Sequence, residues 1–245
     1  MTEPHTMTDD EVEEYVRTSE GEPRFSCARS LLQVFPQVLY EYDFDTLPAL
    51  DRPTVLDIGA NVGIFSWFAL MKWPGAKVIA YEPHPETCRD LRGNFGDLVE
   101  VHEQAVTHPK TTDRARLFEG VHARSECSLR DDVRWPHVSQ NLERWTDVEL
   151  VDAKHLPPCQ VLKVDTEGNE VPILSGYKHL AQVVVMLVEV HAVGGDLNAE
   201  GERIQDIGRR AGLTPVDLIG TTIRFIRKAA APRILLAGSN GLGAR

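Results

Sequence analysis

The stretch PPCQVLKVDTEGNE, residues 157–170, places a thiol, Cys159, a few residues before two carboxylates, Asp165 and Glu167. A cysteine in a Pro-Cys-Gln peptide suits nucleophilic attack, which requires a thiolate. A carboxylate that ends an apolar run suits proton abstraction, because strand ends open into ligand crevices. Glu189 and His191 close a second apolar run, VVVML, and skip one residue so that they share a face. An imidazole beside a carboxylate is a general base in kind, so His191 is the first choice for that role, Asp165 the second, and Glu189 the group that orients the imidazole. Asp165, Glu189 and His191 are equally a carboxylate–imidazole set for a divalent cation, Mn²⁺ more readily than Mg²⁺, and the sequence leaves that choice open. Upstream, DIGANVG supplies Asp57, Gly59, Ala60, Asn61 and Gly63, and the next apolar run ends in Glu82-Pro83. Glycines in such a turn let a ligand approach the backbone, and the following helix start offers free N–H groups. Glu82 stands at the spacing where an acid accepts both hydroxyls of a ribose.

The elements that must carry these groups are legible from periodicity. PTVLDIGANVG reads as a buried strand running into a glycine turn, and IFSWFALMKW as a helix stopped at Pro74-Gly75. AKVIAYEP is a second strand, HPETCRDLRGNF a second helix with Pro85 in its first turn, and LVEVHEQAV a third strand. This β-α-β-α-β succession demands a parallel sheet with right-handed crossovers. QVLKVD and VVVMLVEVH continue it as strands four and five. AEGERIQDIGRRAG is an amphipathic helix, and LTPVDLIGTTIRFIRK gives two antiparallel strands around Gly220. CARSLLQVFPQVLYEYDF reads as a helix packed on this domain, after a polar arm with a helical stretch at 9–17. The expected organisation is an N-terminal arm and helix at 1–50, a domain at 51–228, and a C-terminal tail at 229–245. An insertion at about 107–158 is expected to hold a short strand, loops and one helix.

Composition narrows the function classes. The formal net charge of −11 argues against a long nucleic-acid footprint and suits a small acceptor. Cys27, Cys88, Cys127 and Cys159 form no metal-type cluster, and no run is apolar enough to span a membrane. The N-terminus carries no apolar signal-peptide core, so a cytoplasmic protein is expected. Oligomeric state is not legible.

The turn is G-x-x-x-G rather than the G-x-G-x-x-G that brings pyrophosphate to a helix, and Asp57 before it suits an ammonium better than a phosphate. VLDIGANVGIFSWFA, VIAYEP, VLKVDTEGNEVPILSG and VVMLVEVH, in that order, resemble the FkbM family of S-adenosylmethionine-dependent methyltransferases, over roughly 54–228. The resemblance implies an α/β fold, the class I Rossmann-like methyltransferase fold, with a seven-stranded, mostly parallel sheet and helices on both faces. It implies S-adenosyl-L-methionine as cofactor and O-methylation of a sugar, glycan or natural-product hydroxyl. Asp57–Gly63 would hold the methionine part, Glu82 the ribose, and Gln104 with Ala105 would flank the adenine. This chain has Glu103 where many relatives carry Asn. Ser125 and Ser128 resemble a serine-bearing stretch of relatives and are candidates for substrate contact, with ordinary polar surface residues the other reading.

Cytosine-C5 DNA methyltransferases also use Pro-Cys-Gln, but after strand four. Here Cys159 precedes that strand, and their Phe-x-Gly-x-Gly turn and Glu-Asn-Val element are missing. Cys159 therefore reads as a loop cysteine. His84 reads as a solvent-exposed loop residue first and a lining of the cofactor pocket second, and Trp135 and Trp145 as half-buried packing or a stacking wall for an acceptor. The alternatives carried are N- or carboxyl-methylation on the same scaffold, a cofactor-binding partner protein without catalysis, and a dehydrogenase.

Overall fold

Strands covered by helices on both faces run as continuous apolar sequence, and three here do so. They are β1 (Thr54–Ile58), β7 (Val161–Val164) and β8 (Val185–Glu189), buried almost throughout. The computed structural model describes residues 40–120, 127–130 and 140–228. Its main sheet has seven strands in the order β3-β2-β1-β7-β8-β10-β9. β2 is Lys77–Tyr81, β3 Val99–His102, β9 Thr214–Ile219 and β10 Thr222–Ile226. β3, β2, β1, β7 and β8 are mutually parallel; β10 runs antiparallel to β8 and to β9. The chain therefore builds outward from β1 on one side and returns to build outward on the other. The switch between β1 and β7 opens a crevice beyond the strand ends, where ligands of such sheets bind.

Alternation along the strands sorts the core into two layers. On one face Val55, Val78, Val161, Val185 and Leu187 pack with helices α1 (Ile64–Lys72) and α2 (Pro85–Phe95). On the other, Leu56, Ile79, Leu162, Met186 and Phe225 pack with α3 (Glu170–Gly176) and α4 (Leu197–Arg210). Tyr42, Phe44 and Leu47 lie in the first layer, with the Phe44 and Phe68 rings stacked at 5.0 Å, so the core begins before residue 51. Of the N-terminal helix expected over 27–44, only its end at 40–42 falls within the described residues. The helical stretch at 9–17, Ser125, Trp135 and the tail at 229–245 lie outside them.

Two sequence expectations change. LVEVHEQAV is not one strand: it breaks at Glu103-Gln104 into β3 and β4 (Ala105–Thr107). The chain leaves the main sheet there because Ala105 belongs to a separate cluster with Leu117, Val148 and Leu150. The insertion is likewise a second sheet, in the order β4-β6-β5, with β5 at Arg114–Gly120 and β6 at Gln140–Asp152. Among the described residues of the insertion the helical element is a 3-10 turn, Ala153–His155, and residues 121–126 and 131–139 lie outside them. The sheet forms because Val148 and Leu150 turn inward between exposed Asp147 and Glu149. Trp145 is 45 % exposed under the Arg116 guanidinium, 4.5 Å from the ring centroid, so it is a surface cation–π partner rather than half-buried packing.

Two glycines test the backbone. Gly59 has φ +77°, and a Cβ there would stand 1.7 Å from the Asp165 carbonyl oxygen. Gly59→Ala should cost at least about 1–3 kcal/mol of unfolding free energy in urea titration. Gly93, inside α2 with open space around it, should gain roughly 0.5–1 kcal/mol as Ala.

Candidate active site

The turn after β1 is held to β2 through its backbone: the Gly59 and Ala60 N–H groups both donate to the Tyr81 carbonyl. Gly59, Asn61 and Gly63 all have positive φ, which folds the turn tightly ahead of α1. A Cβ on Gly63 would meet the Phe95 and Leu91 side chains, so this glycine lets α2 close against the turn. Glu82, just past β2, accepts the Asn61 N–H on Oε2 and the His84 N–H on Oε1, each at 2.9 Å. Burial raises its carboxyl to about 7 against those two donors. Each oxygen keeps a further lone pair for a ligand hydroxyl. His84 is buried rather than exposed, with Nε2 at 3.9 Å from Glu119 Oε1. Pro83 and Gln104 are half-buried beside this acid, at the ends of β2 and β3, whereas the Ala105 side chain faces the second sheet.

Asp57 does not face the crevice, as its expected grip on a methionine ammonium would require. It is 0 % exposed, accepts the Ser66 hydroxyl at 2.6 Å, and stands 3.4 Å from the Lys163 ammonium. Burial raises its pKa, with Lys163 and Ser66 opposing. Any influence of Asp57 on a ligand passes through these partners.

At the ends of β7 and β8 four carboxylates converge on one imidazole. His191 is 3 % exposed. Its Nε2 lies 2.9 Å from Glu167 Oε2, 3.8 Å from Glu189 Oε1 and 3.9 Å from Asp165 Oδ1. Its Nδ1 lies 2.9 Å from Glu170 Oε1. Burial alone would strip its proton, but Glu167 and Glu170 outweigh burial and raise its pKa well above the ordinary value. Glu170 starts α3 and also accepts the N–H groups of Thr166 and Gly168 and the Thr166 hydroxyl. Burial pushes its carboxyl up, but His191 and these donors leave it below the usual range. Glu167 rises to about 7, from burial first, partly offset by His191. Glu189 rises well above its ordinary value through burial and repulsion from Asp165.

Asp165, Glu189 and His191 thus do come together, but the imidazole is oriented by Glu170, not by Glu189. Glu189 instead accepts the Thr221 hydroxyl at 3.0 Å. Both Glu167 and Glu170 escaped assignment from sequence, being consistent with ordinary acids near a helix start. The signal available was the positive φ that Glu167-Gly168 must adopt, +56° and +103°. Ser128 is buried and donates its hydroxyl to the Glu167 carbonyl at 2.6 Å, so it holds this loop instead of lining an open acceptor surface. The atoms closest to a cation-type donor set are those of Asp165, Glu167 and His191, all within 4.8 Å of one another. Glu167 replaces Glu189 in that set.

Cys159 is fully buried before β7 and receives the Tyr177 hydroxyl at 3.2 Å. Burial pushes its thiol up to about 12, so no thiolate is available for nucleophilic chemistry. Among the described residues no helix is long and apolar enough to cross a membrane.

Comparison with known proteins agrees with this architecture. The family described as Methyltransferase FkbM domain matches residues 57–212. Methyltransferase sdnD of Sordaria araneosa is 44% identical over 168 residues, 55% of this chain and 63% of that one. The 31-O-demethyl-FK506 methyltransferase FkbM of Streptomyces tacrolimicus is 31% identical over 180 residues, 58% of this chain and 67% of that one. The hexuronic acid methyltransferase AglP of Haloferax volcanii is 30% identical over 146 residues, 56% of this chain and 55% of that one. The matched segments thus span about two thirds or less of these relatives' own lengths. With its Rossmann-like sheet and the family match running from the β1 turn through α4, the chain belongs to the FkbM family of methyltransferase domains.

Proposed function

We propose that the protein transfers a methyl group from S-adenosylmethionine to a hydroxyl of a small acceptor, a sugar, glycan or secondary metabolite. The observation that carries this reading is the Glu167–His191–Glu170 chain at the crevice beside the β1 turn, an ion-pair contact at 2.9 Å on Nε2 and a hydrogen bond at 2.9 Å on Nδ1. A sulfonium methyl is already activated, so transfer needs alignment and exclusion of water. An alcohol, unlike an amine, also needs its proton drawn off as it attacks. Glu167 is the more exposed end of the chain, 13% against 3% for Glu170, and it takes that proton. His191 and Glu170 behind it stabilise the charge that moves. The methyl then passes from sulfur to oxygen, leaving a neutral sulfide. Asp165 and the β1 turn flank the donor, and Glu82 accepts the ribose hydroxyls. This convergence supports catalysis over a partner protein that only binds the cofactor. The relatives' names, a 31-O-demethyl-FK506 methyltransferase and a hexuronic acid methyltransferase, support hydroxyl or sugar-acid acceptors. The 4.8 Å donor set favours one second reading, a divalent cation that acidifies the hydroxyl in place of the relay.

Three outcomes are expected. Glu167→Gln and His191→Gln should each lower kcat by about 10²–10⁴ while S-adenosylhomocysteine affinity stays within about threefold. Equal activity in the variants would remove the relay from the mechanism. Ribose hydroxyls donate to ionised Glu82, so uptake of the nucleoside must displace its proton below about pH 7. Calorimetric affinity for S-adenosylhomocysteine should therefore fall by up to about tenfold per unit below that pH, level off above it, and lose this slope in Glu82→Gln. Finally, a screen of hydroxylated acceptors with labelled donor should show transfer that survives EDTA; loss restored by Mn²⁺ would establish the cation reading instead.

A further inference from the structure

Lys163 is out of place as a packing residue. It sits inside β7, VLKV, where every residue is buried, and its own side chain is 5% exposed. Burying an ammonium costs several kcal/mol, and apolar side chains of similar size commonly replace such ion pairs without loss. Its cross-strand neighbour in β1 is Asp57, in register. The ammonium lies 3.4 Å from Asp57 Oδ1 and 3.2 Å from Asp165 Oδ2, and it donates to the Gly59 carbonyl. These three partners are the acid that precedes the glycine turn, the acid that ends β7, and the turn itself. Burial would release the proton, but Asp165 and Asp57 more than offset that, so the group stays charged.

We propose that Lys163 is the specificity-determining residue that sets how strongly the pocket prefers the cationic donor over its neutral product. The proposal rests on the reading of this crevice as an S-adenosylmethionine site. Two carboxylates behind the turn, left alone, would draw a sulfonium into a deep well and resist the loss of its charge. The ammonium offsets one of them. As the sulfur–carbon bond breaks and the oxygen–carbon bond forms, sulfur becomes neutral, and a pocket that does not overbind the cation favours that change. Asp57, enclosed and out of reach of a ligand, acts on the donor through this balance and not through contact.

Calorimetry on the full chain at pH 8, with S-adenosylmethionine and S-adenosylhomocysteine as probes, tests this directly. Lys163→Met should raise the ratio of product Kd to donor Kd at least about fivefold. Asp57→Asn, which leaves the ammonium in excess, should move the ratio by a similar factor in the opposite direction. Lys163→Met combined with Asp57→Asn should return it to within about twofold of the parent. Should Lys163→Met fail to fold, Asp57→Asn and the combined variant decide the matter. Both affinities changing by one common factor, as a purely structural role requires, would overturn the proposal. A parent protein that binds neither nucleoside would instead overturn the proposed function, a separate result.

Discussion

Two chain segments that are far apart in sequence meet at the crevice with no side chain between them. A Cβ on Gly59 would stand 1.7 Å from the Asp165 carbonyl oxygen. This contact fixes the distance between the turn after β1 and the loop after β7, which the parallel pairing of those strands brings side by side. Lys163 fastens the same junction from within the sheet. The rest of the site is arranged around it, with Glu82 on the β2 side and the Glu167–His191–Glu170 chain on the β8 side. A methyl transfer in line from sulfur to oxygen tolerates little displacement of either partner. Steric contact at Gly59 secures that geometry without recruiting a flexible side chain.

The second organising principle is the management of buried charge. Asp165, Glu167, Glu170 and Glu189 all lie within 4 Å of one imidazole. Water is excluded from most of this cluster, so repulsion between the acids is weakly screened. The structure answers in three ways. A proton on His191 serves two acids, the N–H groups of the α3 start serve Glu170, and Lys163 serves Asp165. Glu189 has only a hydroxyl and a more distant imidazole, and its pKa climbs accordingly. Asp165, the acid nearest solvent, is paired with Lys163, and Glu189 is the least well compensated of the four.

What the sequence disclosed follows from the range of the interactions involved. DIGANVG and Glu82 were legible because a glycine turn, a strand end and the next acid are local relations at fixed spacing. Asp165 and His191 were legible because each closes an apolar run. Glu170 was not, since its partner is 21 residues away, just past β8, and its local role as a helix-start acid explains it fully. Asp57 showed its position but not its surroundings. Nothing in the sequence around it reveals that Ser66 and Lys163 would occupy its oxygens. The insertion was misjudged for a related reason. Its alternation, Asp147-Val148-Glu149-Leu150, is a strand pattern, but the density of charge made it resemble loop.

The second sheet also has a bearing on how this domain can be reshaped. Ser128 is bridged to Phe118 of β5 and gives its hydroxyl to the carbonyl of Glu167, a residue held at φ +56°. The insertion is therefore a buttress of the loop that carries Glu167. Grafting the corresponding segment from a relative, in order to change which molecule is methylated, would import new walls and at the same time withdraw the prop from a strained backbone. On the proposed reading, acceptor choice and chemical competence are tied together through a single hydroxyl, and re-engineering one without supplying that donor should cost the other.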